Sequence, residues 1–371
     1  MNVLRKSIVD QIYSQKSIIH KFHYSKTCPL FTYLFIIAII FNMDIPNYIK
    51  AKNKIYNLLL EFLESDDDDD FDFTAVLTNN IDVELKYFLS LLSKITKNHH
   101  RTPIFNKKIN QILNYLSNYI TKYLSNSEIF DIFKSNKQIL YILFQNHILV
   151  SDEYVSQSIL SNHILSHFFY PEIQKFINKE DKEKLKNDLQ LQNDDAISSF
   201  EIKRQIGEND SYICQLIRND SIEEFVSYKN RTNMNISSII NPSYYETNSF
   251  LLKKETISLI EYSAFFGSIQ IFQYIALNNG DFTNDLWLCA IHGKNAEIIH
   301  HLESLHIEPK DKTYNECLKE SIKCHHNEIA EYIQNNLLNE NNSTNDDVIK
   351  WGIQFFNYKY IPKIIVNSYS F

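Results

Sequence analysis

Apolar positions in the last third of the chain recur on one grid. With Ser263, Ala290 and Ser321 as anchors, Ile260, Trp287 and Leu318 stand three residues before, Ile271, Ile298 and Ile329 eight after, and Ile275, Leu302 and Ile333 twelve after. Gln270, Glu297 and Glu328 fill a polar slot seven after. A register that holds through both the apolar and the polar slots is the mark of a repeated supersecondary unit. The spacing of the anchors is close to the ~33-residue period of a turn followed by two antiparallel helices. An earlier copy fits with Leu216 as anchor, Ile213 before it and Phe225 after it, and a later one with Phe356 as anchor, beside Ile353, Ile364 and Ile365. The interval from 216 to 263 is long, so residues Asn230 to Lys254 read as an inserted loop.

Before the repeats, helical spacing runs from Tyr48 to about Gln205. Ile55, Leu58, Leu59, Phe62 and Leu63 form one face, Phe88, Leu89, Leu92 and Ile95 a second, and Ile109, Ile112, Leu113, Leu116 and Ile120 a third. Ile139, Leu140, Leu143, Phe144 and Ile148 continue the pattern, as do Ile159, Ile164, Leu165 and Phe168. Alternation with period two is scarce, so sheets are not expected. The fold class predicted is all-α: an N-terminal helical domain followed by a solenoid of degenerate helix pairs. Its expected divisions are a basic and then apolar extension over 1–42, a helical domain over 43–210 and repeats over 211–371.

Local signals place some helix ends. Ser221-Ile-Glu-Glu224 and Thr313-Tyr-Asn-Glu316 have the capping-box pattern, in which the hydroxyl accepts a backbone N–H and the Glu reaches back. Gly280 after Asn278-Asn279 predicts a left-handed helix end. The composition favours Asn, Ile, Lys, Tyr and Phe, all with AT-rich codons, so asparagine runs are discounted as structural signals. The last unit offers Ile353, Phe355, Phe356, Ile364, Ile365 and Phe371 with hardly any chain left to cover them.

Leu30 to Phe41 is an uncharged run of twelve residues. Three readings stand for it: a tail ahead of a start at Met43, a buried helix, or membrane contact through residues 30–43. It is short of the roughly 20 apolar residues that span a bilayer.

The stretch Ser258-Leu-Ile-Glu-Tyr-Ser-Ala-Phe-Phe-Gly-Ser268, with Leu286-Trp-Leu-Cys-Ala-Ile-His-Gly293 and Cys317-Leu-Lys-Glu-Ser-Ile-Lys-Cys-His-His326, resembles a large family of ankyrin-repeat proteins from parasitic protists. In that family a helical domain of unknown function precedes and overlaps the first degenerate repeats. The resemblance covers 211–338 and, more loosely, 43–210. It implies a scaffold for protein partners and supplies no catalytic residues.

Candidate chemistry is thin. The formal charge of −8 argues against a general nucleic-acid binder. With glycine only at 207, 267, 280, 293 and 352, neither a phosphate loop nor a G-x-G-x-x-G turn can be assembled. There is no G-x-S-x-G elbow and no H-E-x-x-H helix. Counting an EF-hand from Asp66 puts Phe71 and Leu77 where Gly and Glu are needed, so Asp66 to Asp70 reads as a solvated loop. His292, His300, His301, His306, His325 and His326 lie near Cys317 and Cys324, but the adjacent pairs diverge on a helix, so no metal, cofactor or small-molecule substrate is expected. His325 reads as a neutral position. Five cysteines without a C-x-x-C pair fit a reducing cytosol, with Cys289 and Cys317 as core residues. The expected function is a non-enzymatic, cytoplasmic adaptor, with a membrane-tethered adaptor and an enzyme within 48–205 as alternatives. Repeat geometry nominates Phe265, Asn284, His292, Lys312, Tyr314 and Lys323 for the partner-facing groove.

Overall fold

The computed structural model describes residues 45–65, 71, 81–102, 104–338 and 345–361. The segment 30–43, the acidic run 66–70 and Ile364, Ile365 and Phe371 lie outside the described residues. Residues 55–342 form one compact unit, and 1–54 with 343–371 another. The division expected at 210/211 therefore falls inside the larger unit.

The described chain is all-α, with nineteen α-helices and two strands of two residues each. The first part of the larger unit contains α1 (Ile45–Glu64), which begins before it, α2 (Ile81–Asn98), α3 (Phe105–Tyr123), α4 (Asn126–Phe133) and α5 (Lys137–Gln145). The apolar faces read from the periodicity point inward: Leu59, Leu63, Phe88, Leu92, Leu113 and Ile139 have no exposed surface. Next come α6 (Glu153–Leu160), α7 (His163–Ser166), α8 (Tyr170–Ile173), α9 (Lys179–Asp188) and α10 (Asp194–Ile206). Ile164 departs from the predicted face, being 40% exposed.

Single asparagines, outside any run, cap four of these helices. Asn136, Asn162, Asn178 and Asn193 each accept a backbone N–H at the start of a helix. Each such cap satisfies a donor that the helix cannot, worth typically about 1 kcal/mol.

Three lysine and arginine side chains are buried among the described residues of the larger unit. Lys108 donates to the carbonyl of Phe62 at 2.6 Å and to the Ser65 hydroxyl and carbonyl, closing the end of α1 where helix carbonyls lack partners. Lys137 holds a loop, as described below. Arg204 sits among the rings of Tyr141, Phe168, Phe169 and Phe200 and donates to Glu172 at 2.6 Å and Glu201 at 2.9 Å.

Helix pairs then succeed one another: α11 (Tyr212–Arg218) with α12 (Ile222–Thr232), α13 (Leu259–Phe266) with α14 (Ile269–Leu277), α15 (Leu286–Gly293) with α16 (Ala296–Ser304), and α17 (Asn315–Lys323) with α18 (Asn327–Asn336). First helices touch first helices, α11 to α13 to α15 to α17, and second helices touch from α12 to α14 to α16. Gly293 permits the approach of α15 to α13, since a Cβ there would lie 2.1 Å from the Ala264 carbonyl oxygen. All three anchors and the residues three before and twelve after them are buried, while Gln270, Glu297 and Glu328 are exposed.

A backbone signature marks every copy. Four residues after the anchor the chain turns left-handed, at Asp220, Gly267, Lys294 and His325. In three copies the anchor carbonyl accepts the N–H five residues on: Ser221 to Leu216, Ser268 to Ser263 and His326 to Ser321. The same pair of features recurs in the smaller unit at Phe356 (φ 60°) and in the bond from Asn357 N–H to Gly352 O. The anchor of the last copy is thus Gly352, inside α19 (Asn345–Phe355), and not Phe356, which follows the helix. In that copy Ile353 is buried and Phe355 and Phe356 are half-buried.

Three helix-end readings are corrected. Ser221 makes no side-chain cap. The N-cap of α17 is Tyr314, left-handed and without a side-chain bond, while Glu316 N–H donates instead to Asp311. After α14 the left-handed residue is Asn279 (φ 59°); Gly280 follows in an ordinary conformation, where a Cβ would meet Ile275. The loop 233–257 is anchored by strands β1 (Ile239–Ile240) and β2 (Ile257–Ser258), antiparallel with Ile239 opposite Ser258 and Ile240 opposite Ile257. Among the described residues this short ladder is the one departure from the expected absence of sheet.

Candidate functional site

The six residues nominated for a partner surface separate into three groups, exposed, half-buried and buried. Asn284 and Lys312 are exposed in the turns before α15 and α17. Tyr314 is half-buried, edge-on to Trp287 with ring centroids 5.1 Å apart. Phe265 is buried and stacked on Phe250, and His292 is buried against both rings, so neither faces a groove. Lys323 is half-buried with its ammonium 2.6 Å from Glu320. The repeat grid carries no information on what covers these positions.

Phe250 of the inserted loop covers Phe265 and His292. The residues between α2 and α3 press against the turns of the repeats. His326 donates from Nδ1 to the carbonyl of Ile291 at 2.7 Å and accepts the His100 backbone N–H at Nε2, 3.2 Å. These two partners fix a neutral tautomer. His99 places Nε2 3.0 Å from Glu64 and its ring edge-on to that of His326. Lys294 reaches the same Glu64 carboxylate. His325 faces the Tyr56 hydroxyl at 3.3 Å, and its other ring nitrogen is buried without a partner. Burial pushes His325 down to about 3 and holds His326 well below the usual histidine range. Burial alone would raise Glu64, but His99 and Lys294 outweigh it and bring the carboxyl to about 2.

His325 is therefore not the neutral position that its sequence context suggests. His325→Ala removes a wholly buried ring from the junction while keeping a Cβ in a left-handed conformation. A loss of about 2 kcal/mol is expected from urea denaturation, and a loss below ~0.5 kcal/mol would contradict this packing.

Metal-ligand chemistry also converges, though not at the adjacent histidine pairs. Glu320 of α17 and Cys324, the residue that caps its end, meet His292 from α15, with potential ligand atoms all within 4.8 Å. The geometry is that of a compensated ion cluster. Glu320 Oε1 is 2.8 Å from His292 Nε2 and 2.6 Å from Lys323 Nζ, so the oxygen a cation would need is already taken. Cys324 Sγ is 3.6 Å from both nitrogens of the ring, which sets it over the ring face and off the in-plane lone pairs that bind metals. Burial opposes charge on Glu320, but hydrogen bonds from His292 and Lys323 hold it at about 2; burial keeps His292 below its ordinary value, hence neutral and donating. Burial also raises the thiol of Cys324 well above its ordinary value.

A cavity of about 320 Å³ lies where the inserted loop meets α5, α7 and Tyr262. Its wall includes Lys137, His163, Ile164 and residues drawn from 240–246 and 251–257. Sequence reasoning missed it, because an insertion between repeats reads as solvent loop; the available signal was the length of the interval from 216 to 263.

No family model, curated protein or solved structure matches this chain.

Proposed function

We propose that the protein is a non-enzymatic, ankyrin-like scaffold that binds a protein partner, working in the reducing cytosol that suits its buried thiols. The observation that carries this reading is the shared backbone signature. A left-handed residue four after each anchor recurs at 220, 267, 294, 325 and 356, in residues as different as Asp, Gly, Lys, His and Phe. Left-handed residues end other helices too, as at His147 and Gln190, but here the conformation stands at one fixed offset from each anchor.

The helix pairs are also stitched in register. Ser268 Oγ–H donates to the Ile217 carbonyl at 2.5 Å, Asn295 to that of Gly267 at 2.9 Å and His326 to that of Ile291, each from the slot five after an anchor to the preceding copy. Asp220 caps the next copy's second helix by accepting from Gln270 and Ile271.

With the first-helix faces covered, the partner's footprint moves to the turn tips, where Asn284 and Lys312 project. The test is proximity labelling in the native cell with wild type and with Asn284→Arg combined with Lys312→Glu. The double variant is expected to melt within about 1 °C of wild type, as surface changes do, and to lose a defined subset of labelled neighbours. Identical neighbour sets would refute the turn-tip footprint.

A further inference from the structure

The insertion between the Leu216 and Ser263 copies is strapped to the helices before it. Asn209 donates to the Asn241 carbonyl at 2.8 Å, and Lys137 to those of Tyr244 and Glu246 at 2.6 and 2.9 Å. Thr247 donates to the Gly207 carbonyl twice, from its backbone N–H at 3.0 Å and from its hydroxyl at 2.7 Å. This pairing sets Glu246 of the insertion beside Glu208, which follows α10.

Each of these carboxyls has one oxygen in use and one idle. Glu246 Oε1 accepts the Asn248 N–H at 2.7 Å, and Glu208 Oε1 accepts from Arg101 Nη1 at 3.0 Å. Both Oε2 atoms are buried without a hydrogen-bond partner. The cations around the pair are engaged: Arg101 also with Thr247 Oγ1 at 2.8 Å, Lys137 with its two carbonyls, and Arg218 with the Asn209 carbonyl at 2.8 Å and the Tyr262 hydroxyl at 3.0 Å. Two carboxylates out of water repel each other, and two idle acceptors cannot satisfy one another. A single proton between them removes both faults.

We propose that Glu246 and Glu208 share one proton, carried by Glu246 and accepted by Glu208 Oε2, and that this proton latches the inserted loop. The Arg101 guanidinium sits on Glu208, so the negative charge settles there. The latched loop carries Phe250 over Phe265 and His292, so the proton sets how firmly the first-helix face is closed.

Burial, with Glu208 beside it, raises Glu246 to about 8 from an ordinary 4.5. The closed loop therefore binds one proton more than the lifted loop between those values, and closure weakens as pH rises through that window. Lys137, lowered to about 7 by burial, opposes this only above pH 7 and keeps two N–H groups for its carbonyls when neutral. Tyr262 and Cys214, the other titratable groups facing the pair, are raised by burial and stay neutral throughout. Elsewhere the loop meets His163 and His167 at Tyr244 and Asp210 at Ser243.

The experiment is hydrogen exchange of the full chain at pH 5.5 and 7.0, with each amide rate divided by its intrinsic rate. Wild-type protection across 240–257 is expected to fall at least tenfold between the two. Glu246→Gln, whose amide donates at either pH, should change less than half as much, and the comparison cancels the histidines and Asp210, which both proteins share. The infrared difference spectrum of wild type minus Glu246→Gln at pH 6 should contain the carbonyl band of a protonated acid. Should Glu246→Gln fail to fold, Glu208→Gln replaces it in the spectrum at pH 7, since its amide donates to an ionised Glu246 and the acid band is lost. Equal pH dependence in the two proteins, or a difference spectrum without an acid band, would overturn the proposal. None of these outcomes bears on the turn-tip footprint, which has its own test.

Discussion

Trp287→Ala is expected to destabilise the unit formed by residues 55–342 by about 3–5 kcal/mol, a large share of the stability of an ordinary domain. The side chain is wholly buried and occupies the apolar slot three before an anchor. Its indole N–H donates to the Ile307 carbonyl at 2.6 Å, and its ring meets Tyr314 edge-on. Alanine therefore removes burial, packing and the only polar handle of the residue at once. Trp287→Phe keeps most of the volume and leaves the Ile307 carbonyl unpaired, so a smaller loss of about 1–3 kcal/mol follows. Urea denaturation of the three proteins is the measurement. A cost for alanine under ~1 kcal/mol would mean that the slot is not a core position.

Mild acid is expected to cost about 3–5 kcal/mol between pH 7 and pH 5. His100, half-buried, is lowered to about 4 by burial and by His99; His325 is lowered to about 3, and His292 and His326 are lowered too. The unfolded chain takes up these protons near pH 6.5 and the folded chain refuses them until lower pH, so stability falls as pH drops below about 6.5. Glu64 and Glu320, held at about 2, add a loss below their unfolded value near 4.5. Glu246 opposes the trend: raised to about 8, it keeps a proton that the unfolded chain releases above 4.5. Glu172, raised by burial, opposes it too, and two such carboxyls against four histidines leave the slope positive from pH 5 to 6.5. Urea midpoints that stay flat over this range would show that the junction does not exclude protons.

The helices and repeat register were legible in the chain because both depend on local spacing. Ile271, Ile298, Ile275, Leu302 and Ile333 lie in the core where the grid puts them. Legibility ended where an answer depends on distant residues. Phe265 and His292 sit on the expected helices but are covered by Phe250, and His325 by Tyr56, partners that no local pattern names. The left-handed slot was hidden for a different reason: only Gly267 advertises it, while the other copies carry side chains that hold it under tertiary compulsion. Anchoring the last copy at Phe356 erred by four residues for that reason, since an apolar residue in the left-handed slot looks like a core position.

The histidine junction also changes how the molecule comes apart. A stack held only by nearest-neighbour contacts frays from its ends and shows a gradient of amide protection along its length. Here Tyr56 reaches His325 across 269 residues of chain and His100 reaches His326 across 226, so an interior turn and the opening helices are tied at one point. Losing that knot releases both together, which converts a graded, unzipping array into a single cooperative body.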